Sequence, residues 1–353
     1  MSSVNKAAAG GRANWIDWLR GMSVLMVVLL HAHQFAFLAY PEVGTGLPTT
    51  QGAFARLVHA LNVAVAPLRM ELMFLLSGMF VASGLRKGLR TYLRGKAERL
   101  LYPFILWSVL IFVLREAGSV LAKGEPIAWR GMMDIALGNT ALTWFLYDLT
   151  LYFVAAPLLE RLSPLLVGAC ALVISQLLLE VPGRSSDFFY YFIFFHVGSR
   201  YTDFLGALAS HAGRAWLLVS SLACCALVGC AFRFHYSSTW HGHLPLVLLS
   251  MPLLFRLATQ ACLHRKSSDL ICFVGRNSIV FYLVHFPLYV VLGYLLRRLG
   301  QDGDLMFLML LMIGVCVPWT IAWLRQRPQM AWLEVLFTAQ AWPTLHRPRQ
   351  VSA

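Results

Sequence analysis

The sequence predicts an all-α polytopic membrane protein with about ten transmembrane helices and both termini in the cytoplasm. Three observations predict it: an apolar composition, a succession of apolar runs about 20 residues long, and basic residues gathered between alternate runs. Of the 353 residues, 59% are hydrophobic and 13% charged, and the mean hydropathy is +0.66. A soluble domain averages roughly 45–50% apolar and about 25% charged residues, so little of this chain is left for one. The net charge of +13 does not point to nucleic acid, because the cations form no stripe with interleaved aromatics.

Taken in order, the apolar runs place spans near 15–39, 58–85, 100–121, 142–160, 164–182, 188–208, 214–234, 244–262, 272–296 and 305–325. The first is longer than a signal-peptide core and no small-x-small cleavage site follows it, so it is expected to be retained. Lys6 and Arg12 precede it. The second connection holds Arg86, Lys87, Arg90, Arg94, Lys96 and Arg99, and the eighth holds His264, Arg265 and Lys266. Arg325, Arg327, Arg347 and Arg349 close the chain. With ten spans these all fall on one side, which the positive-inside rule makes cytoplasmic. Loops 41–57 and 180–187 carry few cations; the exception, Arg297 with Arg298, is accompanied by Asp302 and Asp304. The expected organisation is a cytoplasmic tail over 1–14, one membrane domain over 15–325 and a second cytoplasmic tail over 326–353. No internal repeat is visible, so pattern gives an inverted-repeat transporter no support.

Polar residues inside a bilayer are expensive, and each calls for an explanation. In D-W-L-R-G-M-S-V-L-M-V-V-L-L-H (17–31), Arg20 and His31 are separated by roughly 1,100° of helix, so they share a face about 16 Å apart along the axis. That face suits a long, thin substrate such as an acyl-CoA, with arginine at the phosphates and histidine at the thioester. The bland reading makes Arg20 a snorkelling charge and His31 a packed core residue. Glu71, in R-M-E-L-M-F-L-L-S-G-M-F (69–80), falls at His31's depth, about 13 Å from the outer surface. It is a candidate to orient His31, or to form an ion pair with Arg69. Ser77 and Gly78 read as small residues for close helix contact. Arg99, in K-A-E-R-L-L-Y-P (96–103), is a phosphate contact or a topology charge; T-W-F-L-Y-D-L (143–149) and F-F-H-V-G (194–198) are further polar-bearing stretches. Ser278, Tyr282 and His285 recur at helical spacing, and a second mid-membrane histidine favours an internal polar cavity.

No metal is expected. The seven cysteines show no C-x-x-C spacing and read as small buried hydrophobes. The outer loop R-F-H-Y-S-S-T-W-H-G-H (233–243) has three histidines with no carboxylate or cysteine to complete a site. Stacking on sugar rings is the softer reading of its aromatics.

Together these stretches resemble the membrane acyltransferase 3 family, over residues 15 to about 340. The resemblance rests on L-R-G followed by Arg20-x10-His31, on R-M-E-L-M-F-L-L-S-G (69–78), A-E-R-L-L-Y-P (97–103), W-F-L (144–146) and Y-L-V-H-F-P (282–287). Within that family the chain looks most like the glucan biosynthesis protein C group, which succinylates osmoregulated periplasmic glucans. The resemblance implies that His31 is catalytic and that Arg20 and Arg99 handle the donor. It leaves Glu71, Arg69, Trp144, Ser278, Tyr282 and His285 as orienting or acceptor-site candidates. Two departures stand out. Leu142-Thr143 replaces the family's usual His-Leu before Trp144, which puts the acceptor in question, and Glu71 stands where a neutral residue is usual.

The expected function is therefore transfer of a succinyl or acetyl group from cytoplasmic acyl-CoA to an extracytoplasmic glycan, in a bacterial inner membrane. Acyl-CoA, as succinyl-CoA or acetyl-CoA, is the donor substrate and no cofactor is held permanently. The expected partners are acyl-CoA, the glycan acceptor, the bilayer and proteins of glycan synthesis, with no nucleic acid. The alternatives are an O-acetyltransferase of exopolysaccharide or lipopolysaccharide, a glycan or lipid flippase without chemistry, and a non-catalytic scaffold.

Overall fold

The structure, a computed structural model, describes residues 2–38, 52–124, 126–140, 142–233, 241–263 and 265–341. Most of the loops at 41–57 and 233–243 lie outside the described residues, as do His264 and the end of the C-terminal tail. Among the described residues all regular structure is helical. In chain order the helices are α1 (Ser2–Phe37), α2 (Ala53–Gly78), α3 (Val81–Leu85), α4 (Leu89–Lys96), a π-helical turn (Ala97–Leu101), α5 (Tyr102–Lys123), α6 (Arg130–Ala136), α7 (Trp144–Leu159) and α8 (Pro164–Leu177). They continue with α9 (Ser185–Arg200), α10 (Thr202–His211), α11 (Arg214–Arg233), α12 (Leu244–Ala261), α13 (Arg265–Arg276), α14 (Ser278–Arg298) and α15 (Gly303–Leu324), and two 3-10 segments follow at Pro328–Leu336 and Ala339–Ala341.

Seven segments among the described residues are long and apolar enough to cross a membrane: Asn14–Phe37, Ala53–Leu85, Leu89–Val120, Arg214–Arg233, His241–Ala261, Ser278–Arg298 and Gly303–Leu324. Two shorter apolar helices, Trp144–Leu159 and Pro164–Leu177, occupy the expected fourth and fifth spans. The expected sixth and ninth spans differ. The chain breaks at Tyr201, so α9 stops and α10 begins with Thr202 and Asp203; an acidic first turn suits a helix N-terminus. A second break falls at Asn277, whose side-chain amide bonds back to the Phe273 carbonyl at 2.8 Å. Residues 272–276 therefore end the amphipathic α13, and the apolar helix starts at Ser278.

The chain divides into two compact units. The first comprises residues 1–80 and 164–319. Its axis is α1, which packs against α13, α2, α14 and α12. Close approach is set by glycine: a Cβ on Gly21 would strike the Ile271 carbonyl of α13, and one on Gly275 would strike the Asp17 carbonyl of α1. The same device joins α2 to α9, where Gly78 faces the Phe195 carbonyl and Gly198 the Leu75 carbonyl. Small residues let helices in lipid gain dispersion contact, since lipid tails supply no hydrophobic drive between them. Phe74 and Tyr191 stack across that seam at 5.1 Å. On outward faces, Leu165 and Leu177 of α8 and Leu218 and Leu222 of α11 are exposed, as lipid-facing side chains are. Three cysteines expected in the core, Cys170, Cys225 and Cys316, are exposed too.

The second unit comprises residues 81–163 and 320–353. The Tyr92 hydroxyl donates to the Phe153 carbonyl at 2.9 Å, and Lys96 Nζ sits 3.4 Å from the centre of the Phe153 ring. The 3-10 segment after α15 is tied to α5: Tyr102 donates to the Val335 carbonyl at 2.9 Å and Trp107 Nε1 to the Leu336 carbonyl at 2.7 Å.

Candidate active site

Five of the residues singled out in the sequence come together in the first unit, on α1 and α14. Near the start of α14, Ser278 Oγ accepts a hydrogen bond of 2.9 Å from Arg20 Nη2. The Arg20 guanidinium also lies 6.0 Å from the centre of the Phe80 ring. Two turns further along α14, His285 meets His31: His31 Nδ1 and His285 Nε2 are 3.0 Å apart. Tyr282, one turn before, has its ring 6.4 Å from that of His285. The arginine and the histidine of α1 thus each have a partner on the same facing helix, because positions spaced near multiples of 3.6 recur on one face.

The hydrogen bonds determine which nitrogens carry protons. His285 Nδ1 is 2.7 Å from the Phe281 carbonyl. A carbonyl only accepts, so Nδ1 of His285 bears hydrogen, and in the neutral ring Nε2 is then an acceptor. His31 Nδ1 must donate to it. That leaves the lone pair of neutral His31 on Nε2. Phe286 packs edge-on against His31 with ring centres 5.2 Å apart and planes at 84°. His285 is fully buried, whereas His31 is partly exposed. The orienting ring is shielded and the ring with the available lone pair can be reached.

Arg69 and Glu71 lie two residues apart on α2 and so point to different sides. Arg69 reaches back along its helix, and Nη2 donates to the Asn62 carbonyl at 3.0 Å. Side chains on a helix lean toward its N-terminus, which brings this cation within electrostatic reach of both His31 and His33. Glu71 is fully buried on the helix that packs against α9, and Tyr190 of α9 lies within its electrostatic reach. The ring bonded to His31 is that of His285.

Arg99 and Trp144 belong to the second unit. Arg99 lies on the π-helical turn and is exposed; its Nε and Nη2 both donate to Gln340 Oε1, at 3.3 and 3.1 Å. Gln340 in turn donates to Glu98 at 2.8 Å. Trp144 opens α7 and is half-buried. The departure before it is structured: Thr143 is fully buried, with its hydroxyl 2.6 Å from both Ser108 Oγ and Thr140 Oγ1. Of the loop histidines, His241 and His243 are described, and His241 Nε2 lies 2.7 Å from Ser175 Oγ. Among the described residues no group of three or more His, Cys, Asp or Glu side chains is arranged to hold a metal.

Sequence reasoning did not single out His33 and His59, whose rings lie 5.4 Å apart. The available signal was H-A-H at 31–33, which puts two imidazoles on nearly opposite faces of one helix.

Comparison with curated proteins and with solved structures returns no match. Comparison with family profiles returns one, to the Acyltransferase domain family, acyltransferase 3, over residues 13–324. That match spans every helix that builds the His31–His285 pair, and the chain belongs to the acyltransferase 3 family of multi-pass membrane acyltransferases.

Proposed function

We propose that the protein is a ten-span O-acyltransferase of a bacterial inner membrane, with both termini cytoplasmic. It transfers a succinyl or acetyl group from cytoplasmic acyl-CoA to an extracytoplasmic glycan, with an osmoregulated periplasmic glucan as the first acceptor to test. The observation that carries this reading is the chain from the Phe281 carbonyl through His285 to His31. It presents one imidazole lone pair on a partly exposed ring, which is what a general base for a sugar hydroxyl requires.

In the direct course, His31 Nε2 takes the hydroxyl proton as the sugar oxygen attacks the thioester carbon. The C–O bond forms, the C–S bond breaks, and the proton passes from His31 to the departing thiolate. In the two-step course, Nε2 itself attacks the thioester carbon: the C–N bond forms, the C–S bond breaks and CoA leaves as the thiolate, while His285 Nε2 accepts the Nδ1 proton of His31. The sugar oxygen then attacks the acyl carbon, the C–N bond breaks, His285 returns the proton to His31 Nδ1, and the hydroxyl proton goes to the thiolate. The Tyr282 hydroxyl is the candidate to stabilise the oxyanion, as such sites place donors where charge develops. Arg20 in the first unit and Arg99 in the second are the alternative candidates for the donor phosphates. The buried hydroxyl cluster at Thr143, where the family usually has His-Leu, favours an acceptor that differs from the usual one. Exopolysaccharide or lipopolysaccharide is the second reading.

The test is mass spectrometry of envelope glycans from cells with the intact protein, without it, and with His31→Ala at matched membrane abundance. Loss of one base-labile ester in both altered strains is expected, and its mass names the acyl group. An ester that survives His31→Ala but not deletion moves the chemistry to another residue. Unchanged esters with relocated glycan favour a flippase.

A further inference from the structure

The seam between α1 and α2 holds a second set of polar groups that the reaction at His31 does not use. His33 is 2% exposed, and its Nε2 has no hydrogen-bond partner among the described residues. The ring facing it is His59 of α2, 5.4 Å away and tilted by 34°; His59 is exposed. One turn along from His59, Asn62 is 3% exposed and its Oδ1 also has no partner among the described residues. The Arg69 guanidinium, held at the Asn62 carbonyl, lies within electrostatic reach of His33. Buried polar atoms without partners are rare, and each asks for a water, an ion or a ligand.

Depth says which side this set serves. His33 is four residues from the end of α1 and His59 six from the start of α2, so both lie about 6–9 Å from the helix ends at their common loop. That is the outer end if the termini are cytoplasmic. A buried imidazole, an accessible imidazole and an arginine can all donate hydrogen bonds, and a carboxylate is the ligand such donors fit. Asn62 Oδ1 adds an acceptor suited to a hydroxyl beside it. Two histidines fall short of the three or four protein ligands a zinc site takes.

We infer that His33, His59 and Arg69 form a carboxylate-binding site at the outer end of the α1–α2 seam, next to His31 but on the opposite face of α1. Two sources present this chemistry: an acidic sugar of the acceptor, or the distal carboxylate of a dicarboxylic acyl group. The role in turnover rests on the acyl-transfer reading; the binding itself does not.

The test uses the full-length protein in phosphatidylcholine nanodiscs at constant ionic strength. Its thermal midpoint is titrated with glucuronate, succinate and neutral glucose. A ligand that binds the folded state raises the midpoint saturably, so glucuronate or succinate should do so and glucose should not. His59→Gln and Arg69→Lys should each raise the half-saturating concentration roughly tenfold, as loss of one charge-assisted hydrogen bond predicts. His59 is exposed, so its variant should fold even where His33→Gln does not. His31→Ala should leave the binding unchanged, which separates failure of this site from failure of the acyltransferase. Tighter binding of glucuronate assigns the site to the acceptor, and tighter binding of succinate assigns it to the acyl group. Midpoints that do not move, carboxylate binding indifferent to both variants, or binding that requires added zinc would each overturn the inference.

Discussion

At the scale of the residue, His285 is hydrogen-bonded to His31, and the proposed reaction makes it a positioning residue that need not touch the substrate. Its acceptor nitrogen keeps hydrogen on Nδ1 of His31, so an alanine there frees the ring to take the other tautomer and to rotate. Losing the correct tautomer is expected to lower kcat about 10²-fold while KM for acyl-CoA changes little. Steady-state kinetics of CoA release in membranes from the His285→Ala strain would show it. A rise in KM with kcat unchanged would contradict the positioning role. Arg20 gives the opposite split. Ser278 holds its guanidinium through one bond of 2.9 Å, and a bond to a charged group contributes about 1.5–3 kcal/mol. Ser278→Ala should therefore raise KM for acyl-CoA about tenfold or more and leave kcat near its original value, with Arg20→Ala raising KM further.

Helix crossings carry the next set of predictions. Gly78 and Gly198 bring α2 and α9 to backbone contact, and Glu71 and Tyr190 are buried in that neighbourhood. A valine at Gly198 would have to displace the Leu75 carbonyl. Such overpacking costs about 1–3 kcal/mol and should lower the thermal midpoint of the protein in detergent. Gly118→Ala is the control, since nothing lies within 4 Å of a Cβ there and alanine is the better helix former. In the second unit, ending the chain after Arg327 removes the carbonyl acceptors of Tyr102 and Trp107 and the partner of Arg325. Buried donors left without partners cost about 1–3 kcal/mol each. Faster proteolysis of this unit and a red-shifted tryptophan emission are the expected results. An unchanged protease pattern would show that the 3-10 segment contributes nothing to stability.

Across the whole molecule, the orientation of the chain is set by where its cations lie. A fluorescent protein fused after residue 353 should light up and alkaline phosphatase at the same point should stay inactive, whereas phosphatase inserted after Gly183 should be active. Active phosphatase at the C-terminus would require an odd number of spans. Much of this scale is legible in the sequence, because burial in lipid depends on composition over about 20 residues. Five expected spans fall within five residues of the helices found, whereas the third begins eleven residues earlier, at Leu89, and the ninth six later, at Ser278. The breaks at Tyr201 and Asn277 were not legible, since each falls inside a run read as one span and neither position is a proline or glycine. The candidate site was half legible. Arg20 and His31 share a face by arithmetic, and His285 stands out as a histidine in lipid. The sequence by itself determined a helical membrane protein of the acyltransferase kind and named the residues worth watching, because periodicity and hydropathy act along the chain. Only the tertiary structure decided that His285 meets His31, that Ser278 takes Arg20, and that His33 faces His59, because those choices depend on which helices become neighbours and how each is rotated about its axis.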